Sequence, residues 1–345
     1  MITKPTTALA LFSGGLDSIL ACRVIMAQGI RVRAIKFVTP FFGYELLARE
    51  QEHMAEIHDR YGIDVHLRDI SKPYIKLLHD PPHGFGKNFN PCIDCKILLC
   101  AEARRLMPEL NASFIISGEV IGQRPMSQRK DTLRVIERDS GCDGILLRPL
   151  CAKSQRPTRP EEEGLVDRER LYDLYGRGRH GQIALAAGFG ITDYPAPAGG
   201  CVLTDPIKSK QIARYYQEEQ EIRIQDLRLL LVGRQIKLPH GGWLVLGRDQ
   251  EENDRLLAER TPGDLQLKLR DRPGPAALLR HGSHPEDRRL AAAIVARYSK
   301  KGPDGPMGGA VLLFAATGEE FPADGTAETL QVEPLADEIF RPWCR

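Results

Sequence analysis

An apolar run, Ala8 to Phe12, opens directly into Ser13-Gly14-Gly15-Leu16-Asp17-Ser18. Few folds accommodate that junction. The run reads as a buried strand and the residues after it as the start of a helix. A strand that turns through Ser-Gly-Gly into a helix makes a phosphate cradle. Glycines let backbone N–H groups approach an anion, and the helix points its positive end at the same place. Ser13 and Ser18 add hydroxyl donors. Asp17 does not suit a bare phosphate site, because its carboxylate repels the anion unless a metal ion stands between. Magnesium and a pyrophosphate-bearing ligand resolve the conflict, whereas a ligand-free Gly-rich turn leaves Asp17 unexplained.

Up to about residue 200, strand-like and helix-like patterns alternate. The patterns predict strands at 8–12, 32–38, 64–68, 113–117 and 144–148, and helices at 18–28, 44–61, 93–105 and 168–175. This order implies an α/β fold with a doubly wound parallel sheet. Ligands of such sheets sit beyond the carboxyl ends of the strands, where the Ser-Gly-Gly loop falls. Lys208 to Gln220 reads as a linking helix. Beyond it, short strands are expected at 227–231, 243–246, 265–269 and 310–314, with one Ala-rich helix at 288–300. The chain therefore divides into an N-terminal domain over 1–205, a linker at 206–222, a small α+β domain at 223–317 and an acidic tail at 318–345.

No apolar run approaches the ~20 residues of a membrane span, and Met1 to Thr7 is too short and polar for a secretory signal. The chain reads as cytosolic, without a membrane partner. Eight cysteines in a reducing compartment favour metal binding or sulfur chemistry over disulfides. Asn90-Pro91-Cys92-Ile93-Asp94-Cys95-Lys96 puts two thiols at a helix start, where the dipole and Lys96 favour thiolates. Cys201 follows Ala198-Gly199-Gly200 in a loop that can return over the same sheet edge. Three thiolates around one point can bind a [4Fe–4S] cluster and leave the fourth iron open. Two alternatives stay open: a zinc knuckle helped by His79 and His83, and a relay in which Cys92 and Cys201 carry and resolve a persulfide. Cys22 and Cys100 read as core. Cys142 and Cys151 could be exposed or packed, and Cys344 lies in the terminus.

Charge is unevenly spread. Residues 123–160 carry 9 Lys/Arg against 4 Asp/Glu, residues 223–301 carry 16 against 10, and residues 302–345 carry 2 against 8. Two basic regions suit a polyanion larger than a nucleotide, and solvated surface explains the counts equally well. Arg124, Arg129 and Lys130 follow Ser117-Gly118-Glu119 at the ligand edge of the sheet. They either clamp RNA or triphosphate, or pair with Asp131, Glu137 and Asp139 as a solvated helix face.

The order Ser-Gly-Gly-x-Asp-Ser resembles the PP-loop of the ATP pyrophosphatases, which adenylate a substrate and release pyrophosphate. Together with Asn-Pro-Cys-x-x-Cys and a distant third Cys, it is similar to the tRNA thiolation enzymes: 4-thiouridine synthetases, 2-thiouridylases and iron–sulfur-dependent thiotransferases. Ser117-Gly118-Glu119 also matches a nucleotide-site segment of that group. The resemblance covers residues 5 to 205. It implies that Ser13, Gly14, Gly15, Asp17 and Ser18 hold ATP phosphates and magnesium, together with Ser117 and Gly118. Lys36 and Phe37 would lie against the adenosine, and Cys92, Cys95 and Cys201 would hold the cluster. The chain reaches the PP-loop at once, where 4-thiouridine synthetases carry an RNA-binding region, and no rhodanese-like segment follows. The 2-thiouridylases lack Ala-Gly-Gly-Cys. The cluster route is thereby favoured over the persulfide route.

The segments 246–254, 263–268, 270–275 and 291–300 are similar to the RNA-binding domain at the end of NFACT proteins. That implies phosphate contacts from Arg248, Lys268, Arg270 and Arg272. The alternative is a generic α+β domain, and a homodimer remains open. The expected activity is ATP-dependent tRNA uridine thiolation, with Asp17, Cys92 and Cys201 as the catalytic residues. The sulfur donor is left open between free sulfide and a cysteine desulfurase or carrier. A sulfurtransferase or ligase acting on a small molecule, and an RNA-binding factor with an idle PP-loop, are the competing classes.

Overall fold

The central strands of the N-terminal half are buried on both faces, the burial a parallel sheet requires, whereas the edge strand at 64–69 leaves Asp64, His66 and Asp69 exposed. The computed structural model describes residues 6–197, 200–303, 305–316 and 327–345. The chain divides into two compact units, one ending at Ala213 and one starting at Arg214. The helix Pro206–Glu218 carries the division.

The first unit is built on strands β1 (Thr7–Leu11), β2 (Arg31–Val38), β3 (Asp64–Asp69), β4 (Phe114–Ser117) and β5 (Leu146–Leu147). They form one sheet in the order β3-β2-β1-β4-β5, with every pairing parallel. The central strand alternates. Ala8, Ala10 and Phe12 enter a core with Leu16, Ile19 and Leu20 of helix α1 (Leu16–Met26), while Leu9 is buried on the other face. The strand order reverses direction at β1, so the loops after β1 and β4 share one crevice. Further helices are α2 (Glu50–Tyr61), α3 (Ser71–Leu77), α4 (Cys92–Leu106) and α5 (Lys130–Asp139).

Several expectations for this unit need correction. The helix expected from residue 44 begins as a 3-10 turn, Tyr44–Arg49, before α2. The helix expected at 168–175 is a single 3-10 turn, Arg168–Arg170. After it the backbone spends its hydrogen bonds on neighbouring segments: Tyr172 N–H on the Pro149 carbonyl, Leu174 on Leu150 and Gly176 on Ile121. Helix His180–Gly188 has no strong apolar period to announce it and α3 is only seven residues long, whereas α5 is amphipathic, burying Leu133 and Ile136 beneath the charged face. Cys22, Cys100, Cys142 and Cys151 are all buried.

The second unit is an antiparallel sheet in the order β11-β10-β8-β9-β7-β6, with β6 at Arg234–Lys237, β7 at Trp243–Leu246, β8 at Leu265–Leu269, β9 at Ala277–Arg280, β10 at Gly309–Ala315 and β11 at Glu328–Val332. The helix Pro285–Tyr298 presents Ala291, Ala292, Val295 and Ala296 to Leu267, Leu269 and Leu279 of that sheet. Small alanines allow the helix to lie close. The leucines at 227–231, expected as a strand, lie largely in a helix, Ile224–Leu230. A run of five residues, four of them leucine, is too short for its period to tell the two apart. Nor is the acidic C-terminal stretch a tail. Residues 317–326 lie outside the described residues, but β11 pairs with β10 from Gly309↔Val332 to Leu313↔Glu328, and Phe340 is buried in the core. Among the described residues, no helix is long and apolar enough to cross a membrane.

Candidate active site

The loop between β1 and α1 is short because glycine lets it turn at once. Gly14 has φ +85, and Gly15 is the extended residue that starts α1. The Ser18 hydroxyl donates to the Gly15 carbonyl at 2.7 Å, and the Ser13 hydroxyl donates to Ser18 Oγ at 3.2 Å. A side chain on Gly14 would stand 3.3 Å from Lys36 Nζ, so the ammonium of β2 sits against the loop. Burial lowers the Lys36 pKa. Phe37, its neighbour on the strand, is buried and faces the other side of the sheet.

Ser117 and Gly118 end β4 beside this loop. A Cβ on Gly118 would stand 2.6 Å from the Ser18 amide nitrogen and closer still to the Asp17 carbonyl group. Glycine is required for that approach. Asp17 itself is held from one side only. Its Oδ2 accepts from Gln123 Nε2 at 2.9 Å and from Arg179 Nη2 at 3.4 Å, while Oδ1 is buried with no hydrogen-bond partner. An orphaned carboxylate oxygen beside a phosphate cradle fits the magnesium expected there.

The three candidate thiols come together around Tyr74. That ring is 1% exposed, packs on Phe41 and Phe42, and donates its hydroxyl to the Cys95 thiol, with Cys92 and Cys201 within electrostatic reach. Cys92 Sγ accepts from Asn90 Nδ2 at 3.3 Å. The Cys201 turn is tied to the same loop: Asn88 Nδ2 donates to the Thr204 carbonyl, and the Thr204 hydroxyl donates to the Cys201 carbonyl, both at 2.6 Å. Ala198 and Gly199, read as part of this turn, lie outside the described residues.

Burial pushes the Cys95 thiol up to about 11 and raises that of Cys201. The thiolate expected at a helix start is therefore overridden at Cys95 by desolvation. Lys96 does not rescue it, because its ammonium faces Glu119 at 3.4 Å. Burial also acts to raise Glu119, but Lys96 and Arg148 together hold its carboxyl below the usual range. Among the described residues, no three His, Cys, Asp or Glu side chains stand close enough to share one ion. The charges of Cys92, Cys95 and Cys201 each act on Tyr74, so the three thiols lie in one neighbourhood, and thiolates are the ligands an iron–sulfur centre takes. His83 is committed elsewhere, to Asp94 at 2.7 Å and Asp139 at 3.2 Å, which removes it from the zinc alternative.

One loop spans both halves of the site. Gln123 holds Asp17, Arg124 is exposed with its charge felt at Cys201, and Met126 Sδ lies 3.6 Å from the Asn90 amide that touches Cys92. The basic run is thus divided. Arg129 pairs with Asp131 and Arg138 with Asp139, while Glu137 goes to the buried Arg148; Lys130 is exposed. Sequence reasoning missed Tyr74 and Arg179. The signal for the latter was Gly176-Arg177-Gly178-Arg179, arginines interleaved with glycine.

In the second unit, Lys268 and Arg270 are exposed on and just after β8. Arg248 pairs with Glu252, and Arg272 with Asp271 and the Met307 carbonyl.

The parallel sheet, its strand order and the Ser-Gly-Gly loop define a PP-loop-type α/β domain, followed by a separate antiparallel domain. Residues 4–157 match the family model described as Thiamine biosynthesis protein (ThiI), and residues 233–344 match that of the NFACT protein RNA binding domain. The chain carries a ThiI family domain and an NFACT-type domain. A tRNA sulfurtransferase of Marinobacter nauticus is 28% identical over 150 residues, 44% of this chain and 30% of that protein. A probable tRNA sulfurtransferase of Thermococcus kodakarensis is 25% identical over 142 residues, 41% of this chain and 36% of that one. The chain thus spans about a third of the length of the curated relatives it matches. Among solved structures, a 4-thiouridine synthetase–RNA complex with bound ATP matches with a TM-score of 0.34 at 23% identity, covering 42% of this chain and 36% of that one.

Proposed function

We propose that this chain is an ATP-dependent tRNA uridine sulfurtransferase that forms AMP and pyrophosphate. The loop 122–126 carries the reading, because it touches Asp17 at one end and the neighbourhood of Cys92 and Cys201 at the other. A uridine carbonyl is a poor electrophile, and its oxygen needs a better leaving group. In the first step that oxygen attacks the α-phosphorus of ATP, an O–P bond forms, and the bond to pyrophosphate breaks. The N–H groups of Gly14 and Gly15, the Lys36 ammonium and the Ser13 and Ser18 hydroxyls hold the phosphates and stabilise charge as it develops. Asp17 would hold magnesium through Oδ1, and the ion would neutralise phosphate charge. In the second step sulfide-level sulfur, as HS−, adds to the activated carbon, the C–O bond breaks so that AMP departs with the former uridine oxygen, and the sulfur's proton is released.

Cys92, Cys95 and Cys201 would hold a [4Fe–4S] cluster, which supplies one iron without a protein ligand as a position for the incoming sulfur. Tyr74 and Asn90 orient the thiols, and the buried ring of Tyr74 excludes water from them. The proximity of Cys92 and Cys201 also suits a persulfide relay. Brown protein with bound iron and sulfide after anaerobic purification favours the cluster, and colourless iron-free protein with full activity favours the relay. Lys268 and Arg270 would bind RNA phosphates without reading sequence.

The test is nucleoside mass spectrometry of tRNA from a strain lacking this protein, paired with tRNA-dependent pyrophosphate release by the purified chain. Loss of one thionucleoside is expected. Unchanged thionucleosides with no RNA dependence of pyrophosphate release would overturn the proposal.

A further inference from the structure

We infer that Tyr175 is the stacking platform for the uracil ring of the target nucleotide, with Arg177 taking a neighbouring phosphate; this rests on the reading of the site as uridine-modifying. Tyr175 is 73% exposed, unusual for a large aromatic side chain, yet its backbone is fixed. Ile121 and Tyr175 form a parallel bridge, and Gly176 N–H donates to the Ile121 carbonyl at 2.8 Å. Its ring end lies against Gly122, within 3.4 Å of where a Cβ would stand. The next residue, Gln123, holds Asp17, and so does Arg179, four positions beyond Tyr175. The ring therefore stands at the mouth of the site, on the loop that spans Asp17 and the thiols. Arg177 is exposed between two glycines.

The sheet order assigns the base. Lys36 approaches the Ser-Gly-Gly loop from β2, on one side of β1, whereas Tyr175 stands beside the loop that follows β4, on the other side. Ser117 and Gly118, at the very end of β4, belong with the Ser-Gly-Gly loop, so the room beyond them, along 121–126 and 175–177, is left to the second reactant. That side also holds Arg124 with Cys201, and Met126 with the Asn90–Cys92 pair. An enzyme acting on a base must take it out of its stack, and an exposed aromatic ring replaces part of the stacking that is given up.

The experiment uses the full chain, a non-hydrolysable ATP analogue and an unmodified tRNA transcript carrying 5-iodouridine, irradiated and mapped by mass spectrometry. A crosslink on the peptide containing Tyr175 is expected. Tyr175→Ala should lower kcat/KM for tRNA-dependent pyrophosphate release roughly ten-fold, and Tyr175→Phe should retain it, since the ring and not the hydroxyl does the stacking. Crosslinks confined to residues 214–345 would overturn the proposal. An equal loss of ATP affinity in Tyr175→Ala would assign the ring to adenine and overturn it as well. Failure of the parent reading is distinguishable: the unaltered chain would then release no pyrophosphate with tRNA, while the crosslink map still reports where uracil sits.

Discussion

Gly118→Ala tests whether the close approach of β4 to α1 builds the nucleotide site. The added methyl would stand 2.6 Å from the Ser18 amide nitrogen and nearer still to the Asp17 carbonyl group, where ordinary van der Waals separation is 3.4–4 Å. Both obstacles are backbone, so neither can swing aside. The end of β4 and the first turn of α1 must separate by roughly 1 Å. Overpacking of this kind costs about 1–3 kcal/mol. At about 2 kcal/mol, a unit of this size loses roughly 4–8 °C in Tm. A shift of about 1 Å at a reacting centre also costs on the order of 100-fold in rate, so pyrophosphate release should fall far more than stability does. The control is Gly188→Ala, at the end of the helix His180–Gly188, where nothing lies within 4 Å of the new Cβ. It should change stability by less than about 1 kcal/mol. Thermal denaturation of the full chain and a pyrophosphate-release assay read both effects, with ATP titration calorimetry reading the nucleotide site directly. A Gly118→Ala protein with an unaltered Tm and unaltered ATP affinity would refute the reasoning.

Arg148→Met leaves the buried Glu119 and the half-buried Glu137 without their guanidinium and should cost about 3–5 kcal/mol in urea unfolding; a loss below about 1 kcal/mol would show that the pair is dispensable. Serine replacements of Cys92, Cys95 or Cys201 should each reduce iron bound after anaerobic reconstitution, and iron content identical to the parent would remove these thiols from the site. On the cluster reading proposed above, removing bound iron with a chelator should abolish thiolation but leave ATP binding, as equilibrium dialysis would show; ATP binding lost along with the iron would contradict it. Glu218 accepts from Arg214, Lys237 and Arg345. Burial acts to raise its pKa, but these cations hold it at about 2 against an ordinary 4.5. Its stabilisation is therefore present above pH 4.5 and lost as pH falls toward 2. Glu218→Gln should flatten the pH dependence of unfolding in that window, and an unchanged slope would contradict the assignment. Lys268→Glu with Arg270→Glu should lower the salt slope of RNA binding by roughly one for each phosphate no longer neutralised, measured by fluorescence anisotropy; a slope equal to the parent's would place the RNA elsewhere.

Much of the α/β unit was legible in the chain, because buried parallel strands are continuous apolar runs and Ser-Gly-Gly-x-Asp-Ser has few structural uses. Local geometry was legible too: the tight turn at Gly14 and Gly15, the two thiols of Cys92 and Cys95 in the first turn of one helix, and the basic excess along 123–160. What tertiary structure alone decided is who meets whom. Arg129 and Arg138 look like Arg124 in sequence, yet they pair with the nearest carboxylates, while Arg124 faces Cys201 across the fold. Tyr74 is one aromatic among many until packing sets its hydroxyl on Cys95. The segment 168–175 does not form its expected helix beyond one 3-10 turn because the amides of Tyr172, Leu174 and Gly176 found acceptors on Pro149, Leu150 and Ile121, and that pairing carries Tyr175 to Gly122 and Arg179 to Asp17. Periodicity and motif spacing are short-range properties, so one sequence suffices to read them. Burial, pKa and partnership arise between residues a hundred positions apart and exist only once the chain has closed on itself.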